Sequence, residues 1–473
     1  MSDVTPASVF PPATSVRSEM RELLRLAGPV ALSHLGLMAM SLVDTAIVGN
    51  APTAGPGDLG GASVGRSLGF ATLVFAFGVS SAVDPLASQA LGAGDARTAW
   101  NAQRATLRAA FFWCIPTSLL SLLLALALPA FRVKPSVAHA ALGYVLGHIP
   151  GMFAAVAFST FKGFLQAHGR TRPIFVAAVV ANVFNVGICS LLVRGNDLWS
   201  VWPLPPLGAA GAGIAVSLAS IVMAIIVGRA AWALRPPKAG VSTQFRHADI
   251  FRLGAPIGLN SAAEYGVFTL VTVLAARLGE TEVGAHQVAI ALASFTYMGA
   301  LGIGAATSVR VGRAVGAGVP CRMPGQLGIA LGLAFMTFGA IAFAAFPRAL
   351  ARLFTPNHAI IELSVSLLHI AAFFQLFDGV QVVAASALRG AGDVRIPAVT
   401  TMAIQWFVAL PFGLACAFWA HLGLIGLWLG LTVGLIAIAA ILLVRFWTVT
   451  GRPIARLLHP RHESRVKKTR GSS

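Results

Sequence analysis

The chain has 473 residues, 57% of them hydrophobic and 11% charged, whereas a soluble domain carries about 25% charged residues, so a water-soluble globular body is excluded. Its 49 glycines suit a polytopic helical membrane protein, whose helices pack through small side chains. The formal charge of +18, from 34 basic against 16 acidic residues, would suggest nucleic acid only in a soluble chain; here the placement of the basic residues accounts for it.

The chain opens with "MSDVTPASVFPPATSVRSEMRELLRLAG", which has no apolar core of its own. No cleavable signal is expected there, and the first helix is expected to be retained. Twelve apolar runs follow, each near the 20 or so residues that a transmembrane helix needs: 27–48, 62–84, 107–130, 138–160, 173–193, 208–233, 253–276, 283–307, 326–347, 360–386, 396–419 and 422–444. Pro/Gly-rich or charged stretches such as "NAPTAGPGDLGG" and "RPPKAGVSTQFRHADIFR" separate them. The division expected is a tail over 1–25, a first lobe over 26–233, a linker over 234–252, a second lobe over 253–445 and a basic tail over 446–473. Cys114, Cys189, Cys321 and Cys416 are scattered and form neither a disulfide framework nor a metal-ligand spacing.

Twelve spans put both termini on one side. With the N-terminus inside, 27 of the 34 basic residues fall on inner segments and 7, including Arg66, on outer ones. That bias places both termini in the cytoplasm. The last stretch, "RHESRVKKTR", is read as solvated, with contact to anionic lipid as the alternative.

The two halves echo each other. "LAGPVALSH" (26–34) pairs with "LGAPIGLNS" (253–261), "QALGAG" (89–94) with "RAVGAG" (313–318), and "LQAHGRTR" (165–172) with "LRGAGDVR" (388–395), at offsets of 227, 224 and 223 residues. Six spans in each half make the repeats parallel, related by an axis along the membrane normal. Two six-helix lobes facing each other across a cleft are expected; the bland alternative is a duplicated scaffold with no passage. The glycine groups "LGAGD" and "GAGVP" read as helix caps and turns.

Thirteen of the sixteen acids fall in tails, loops or span ends, Asp84 where the second span meets its loop. Asp44, Glu264 and Asp378 remain inside apolar runs. Each costs about 2.5–3.5 kcal/mol at a helix centre on the insertion scale, which argues for a compensating role. A carboxylate in such a cavity can hold a proton, Na⁺ or a cationic substrate, and one cation excludes another. At a site open alternately to each side, that exclusion is antiport. The competing reading, an acid paired with a basic side chain as structural glue, finds few partners, since no Lys or Arg is placed well inside a span. Gln287 and Asn182 are polar groups on helices, read equally as packing glue or as site residues. Tyr144, at the start of the fourth span, reads as an interfacial anchor or a site residue. His34 and His369 read as hydrogen-bonded core histidines, with a site role as the alternative. No Walker motif, GxSxG or metal-ligand cluster is present, so the chain is not expected to be an enzyme, and the energy source should be an ion gradient.

The stretches "LAGPVALSHLGLMAMSLVDTAIVGN", "SQALGAGDA", "FLQAHGRTRPIF", "GAPIGLNSAAEYGVF" and "FFQLFDGVQVVAASALRGAGDVRIP" resemble the multidrug and toxic compound extrusion (MATE) family, over roughly residues 22–450. The resemblance implies an all-α fold of twelve helices in two lobes and export of organic cations or drugs against inward H⁺ or Na⁺. Asp44 matches the helix-1 acid of the first lobe; Glu264 and Asp378 match the helix-7 and helix-10 acids of the second, where Na⁺ is a candidate ligand, a pairing similar to the NorM-like bacterial branch. Gln287 matches a polar position near the second-lobe site, Asn182 the asparagine that accompanies the helix-1 acid, and Tyr144 a helix-4 tyrosine. Pro29 matches a proline associated with helix bending, though by sequence it equally marks a helix start. Val186 stands where archaeal members carry a second first-lobe acid, so a two-acid site is not expected there. Cationic drugs or dyes and the bilayer of a bacterial inner membrane are the expected partners, with a monomer the expected state, no cofactor beyond the coupling ion and no nucleic acid. The rivals are a major-facilitator transporter, whose Asp/Arg-rich loop is not seen in "QALGAGDARTAWNAQR", a flippase of lipid intermediates, which would place basic residues in the central cavity, and a non-transporting scaffold.

Overall fold

The structure, a computed structural model, describes residues 15–51, 55, 57–195, 205–237 and 244–457. Among these it is helical, without a strand. The first half holds α1 (Val16–Gly49), α2 (Asp58–Ser80), α3 (Val83–Gly92), α4 (Ala96–Ala127), α5 (Pro135–Ala167), α6 (Arg172–Arg194) and α7 (Gly208–Trp232). The second half holds α8 (His247–Leu278), α9 (Glu280–Ala317), α10 (Arg322–Ala345), the short α11 (Pro347–Arg352) and α12 (His358–Ala391). The chain ends with the pieces α13 (Arg395–Ile404) and α14 (Leu410–Leu414), then α15 (Gly423–Thr450). Among the described residues, twelve helical stretches are long and apolar enough to cross a membrane, with α2–α3 and α13–α14 each counting as one. The basic tail "RHESRVKKTR", the first fourteen residues and 238–243 of the linker lie outside the described residues.

Many helices run past the ends of their apolar runs. α1 begins at Val16 rather than near residue 27, its N-terminus capped by Ser15, whose side chain accepts from the Ser18 amide. Pro29 therefore stands inside a continuous helix and does not mark its start. It removes one ladder donor, and Ser33 Oγ donates to its carbonyl at 2.6 Å. Pro256, its repeat counterpart, is likewise interior to α8. α5 continues to Ala167, past the charge at Lys162 that ended the apolar run. The second span is broken at Ser81–Ala82, where Pro85 in the first turn of α3 cannot donate to a continued ladder. In the eleventh span two π-helical turns, Gln405–Ala409 and Ala415–Trp419, flank α14; such turns gather at functional sites.

Within the first half α5 packs on α7 and α2, and α6 on α7 and α1; within the second, α12 packs on α9, α10 and α15. The halves meet where α1 and α3 cross α9 and where α2 crosses α8. Much of this junction lies on the face where α1 begins and α15 ends, called the basic face below. Here the repeated motifs mesh. Gln89, first residue of "QALGAG", donates from Nε2 to the Gly390 carbonyl at 3.0 Å. Arg313, first residue of "RAVGAG", donates to the Ala167 carbonyl, with Nε 3.0 Å away. Ala167 and Gly390 lie in the third repeated pair, so the two bonds are equivalent about the pseudo-two-fold axis. Between them Gly92 and Gly316, equivalent to each other, let α3 and α9 touch: a Cβ on Gly92 would lie 2.1 Å from the Arg313 oxygen, and one on Gly316 2.0 Å from the Gln89 oxygen. Glycines expected only as caps thus have two roles, since Gly318 does close α9 in the left-handed conformation (φ +73°).

A buried ion pair stands beside this seam. Glu19 (1% exposed) and Arg310 (7%) join α1 to α9, with Arg310 Nε donating to Glu19 Oε1 at 2.7 Å and the second nitrogen to Oε2. Removing one partner of such a pair leaves an uncompensated buried charge, at a cost of about 3–5 kcal/mol. Glu19→Gln is accordingly expected to lower the thermal unfolding midpoint in detergent well beyond Glu22→Gln, whose half-buried carboxylate meets Arg25 at 3.7 Å and lies within electrostatic reach of Arg313 without a buried bidentate partner; equal midpoints would contradict the assignment.

Candidate ion and substrate site

A cavity of about 230 Å³ lies between the halves, lined by α1, α2, α3 and α5 on one side and α8, α9 and α12 on the other. Glu264 opens into it from α8, partly exposed, opposite apolar walls that include Phe77 and Leu301. Asp378 does not line it. The residue is 7% exposed and sits one turn behind Gln381, which does line the cavity and donates to Asp378 Oδ1 at 3.4 Å. Glu264 and Asp378 are within electrostatic reach of each other, and of Tyr297 on α9. Among the described residues neither carboxylate forms an ion pair.

The α12 acid is the middle of a polar stripe. Gln375, Asp378 and Gln381 are three apart, hence on one helical face. Gln375 is buried, and Thr296 of α9 donates to its Oε1 at 2.9 Å. The two glutamines, Thr296 and Tyr297 escaped the sequence reading, although the spacing in "FFQLFDGVQVV" marks the stripe. Trp406, on the first π-helical turn, donates to the carbonyl of Ala263 at 3.2 Å and thereby props α8 beside Glu264.

Gln287 is not brought to this site. It is exposed and absent from the cavity wall, while its neighbour His286 turns inward, bonded to Thr272 at 3.0 Å and to Trp428 at 3.2 Å. His34 lines the cavity; His369 is exposed and bonds its own helix at Val365, so it is not a core histidine.

In the first half Asp44 is buried (1% exposed). Its partner is Asn185, which donates to Oδ1, and not Asn182, whose Nδ2 bonds the Ala178 carbonyl of its own helix at 2.8 Å. The two asparagines of "VANVFNV" are three residues apart, and the rotation of α6 turns the second one to α1. Tyr144 is buried in the third turn of α5, not at an interface, and packs on Gly65 of α2. Val186 is exposed.

Basic residues do enter the spans, contrary to the expectation. Arg66 lies two turns into α2, because that helix begins at Asp58. Lys162 and Arg389 line the cavity at its basic end, facing Asp84. Arg389 reaches Asp84 at 4.0 Å across the two halves, and Lys162 lies within electrostatic reach of the same acid. The cavity therefore runs from a carboxylate end to an end with one excess formal positive charge, from Lys162 and Arg389 against Asp84.

A bundle of twelve apolar helices around an internal, charge-lined cavity is the build of a multi-pass membrane transporter. Comparison with known proteins agrees. The MatE family model matches residues 29–191 and 256–414, one segment in each half, and the chain belongs to this family. It is 35% identical to a probable multidrug resistance protein NorM of Deinococcus radiodurans over 446 residues, covering 92% of this chain and 96% of that protein. It is 28% identical to the multidrug resistance protein PmpM of Pseudomonas aeruginosa, covering 93% and 94%. Its fold matches the crystal structure of the eukaryotic MATE transporter AtDTX14 with a TM-score of 0.81 at 22% identity, covering 93% of this chain and 99% of that one. It matches a MATE protein in the straight conformation with a TM-score of 0.81 at 18% identity, covering 93% and 100%.

Proposed function

We propose that the chain is a secondary active multidrug exporter of a bacterial inner membrane, moving organic cations outward against inward H⁺ or Na⁺. The basic face is then cytoplasmic. One observation carries the reading: Glu264 opens into the cavity between the halves, Asp378 lies within electrostatic reach of it on α12, a turn behind Gln381, and among the described residues neither carboxylate forms an ion pair. A protonated amine of a drug and the coupling cation compete for these carboxylates. Alternating exposure of the cavity converts that competition into exchange, and the bonded seam at the basic face supports reading this state as closed there. The relatives named multidrug resistance proteins, NorM and PmpM, support drugs as the cargo.

Lys162 and Arg389 in the same cavity favour a second reading, a carrier of anionic lipid intermediates; Asp84 offsets one of the two charges. Purified protein in liposomes separates the readings. Under an imposed pH or Na⁺ gradient, a panel of cationic dyes should be driven across, and an anionic lipid analogue should not. Dye movement indifferent to both gradients would sink the exporter reading.

A further inference from the structure

The chain beyond α15 returns to the seam at the basic face. Ile454 packs against the buried core of the second half, and the Arg456 guanidinium lies against Gly318 at the end of α9. Leu457 then rests on Gly392, the left-handed cap of α12 (φ +93°), its Cγ 3.0 Å from where a Cβ there would stand. From this footing on the second half it crosses to the first. Its amide donates to Gln89 Oε1 at 3.0 Å. Its side chain packs against a buried cluster drawn mainly from α2, α3, α4 and α5. Gln89 is fully buried and held at both ends, since its Nε2 donates to the Gly390 carbonyl. An amide can serve in this way because it both donates and accepts, whereas the guanidinium of the equivalent Arg313 only donates. The equivalent segment after α7 is held within its own half: Leu234 packs against a first-half cluster, and the Pro237 carbonyl accepts from Arg97.

We propose that residues 451–457 are a latch from the second half onto the first, which holds the basic face shut and lets go of Gln89 each time that face opens. The inference rests on the exporter reading above, in which the halves part there once in every cycle. The latch is built for release. Leu457 is half-buried, and its grip on the first half is one hydrogen bond and one side chain, so it biases the closed state without fixing it. Gln89 joins the latch to the seam, because the side chain that receives the Leu457 amide is also the one that bridges to Gly390. Withdrawal of residue 457 therefore loosens the cross-half bond beside it. The device is one-sided: the second half carries the catch, and the first half offers the amide that it engages.

The test reads the opening of the seam. With the four native cysteines replaced, Ser88→Cys puts a thiol beside Gln89, at a position buried against Gly312 of α9. In this background Leu457→Pro deletes the amide donor, and Leu457→Gly deletes the side chain on Gly392. Each is expected to raise the rate at which a membrane-impermeant reagent modifies that thiol by about three- to tenfold, the population shift that one lost hydrogen bond brings. Leu457→Ile keeps donor and bulk and should stay within about twofold of the parent. Unchanged rates in the proline and glycine variants overturn the proposal. Should those variants not fold, a tether decides. In the cysteine-replaced protein without the change at 88, Gln89→Cys and Leu457→Cys are joined by a short, reducible bifunctional thiol reagent. Dye export in liposomes should stop and should return on reduction. Export that continues in the fully cross-linked protein overturns the proposal equally. Absence of gradient-driven export from the unsubstituted protein would instead mark failure of the exporter reading; the labelling rates need no gradient and still decide the latch.

Discussion

Glu264→Gln and Asp378→Asn are each expected to bring gradient-driven dye export down to the level of empty liposomes while leaving inserted, monodisperse protein. The two substitutions keep shape and hydrogen bonding and remove only the capacity to hold a cation by charge. At Glu264 the loss falls on the group that faces the cavity, so dye binding should weaken along with transport. At Asp378 it falls on a group screened from the cavity by Gln381. Coupling should therefore fail there with less effect on dye affinity. Equilibrium dye binding measured beside transport resolves this split. Export by either variant at the unsubstituted rate would remove the carboxylates from the mechanism. Folding should survive both changes, because among the described residues neither acid forms an ion pair that a substitution would leave half-occupied.

Gly316→Val is expected to abolish export by a different route. A β-carbon at 316 would lie 2.0 Å from the Gln89 oxygen and 2.7 Å from its carbonyl carbon. Both are backbone atoms of a packed helix, so α3 and α9 cannot absorb the methyls by a rotamer change and must separate. Separation breaks the Gln89 and Arg313 bonds across the seam. The variant should insert normally yet fail to close at the basic face. Ser88, fully buried against Gly312, offers the readout. With the four native cysteines replaced and Ser88→Cys introduced, a membrane-impermeant thiol reagent should label the Gly316→Val protein from the basic face and leave its glycine parent largely unlabelled. Equal labelling together with retained export would mean that the contact is incidental.

Sequence pattern alone disclosed the helix number, the parallel repeat and the three acids, because each is written in signals that need no neighbour: run length, motif spacing and a charge in an apolar context. What it misplaced depended on rotation about a helix axis. Asn182 and Asn185 differ by three residues, and only the packing of α6 on α1 decides which one meets Asp44. Gln287 and His286 differ by one, and the inward member is the less conspicuous. The basic residues within the spans were missed for a related reason. A charge ends an apolar run in the sequence, whereas α2 starts before Arg66 and α5 runs past Lys162 because acids and hydroxyls from other elements receive them. The repeated motifs were found by spacing, but their purpose, meshing with each other's partner across the seam, is a property of the folded pair.

Both hydrogen bonds at that seam end on main-chain carbonyls, those of Ala167 and Gly390. The receiving side thus asks for small volume and no particular chemistry: a β-carbon at 390 would lie 2.3 Å from the Ser308 oxygen. The donors, an amide at 89 and a guanidinium at 313, are unlike each other and still perform the same task. The resemblance between the halves at this point is one of backbone addresses more than of residue types. A duplicated gene can therefore let its two copies drift apart in side-chain chemistry while the copies keep interlocking.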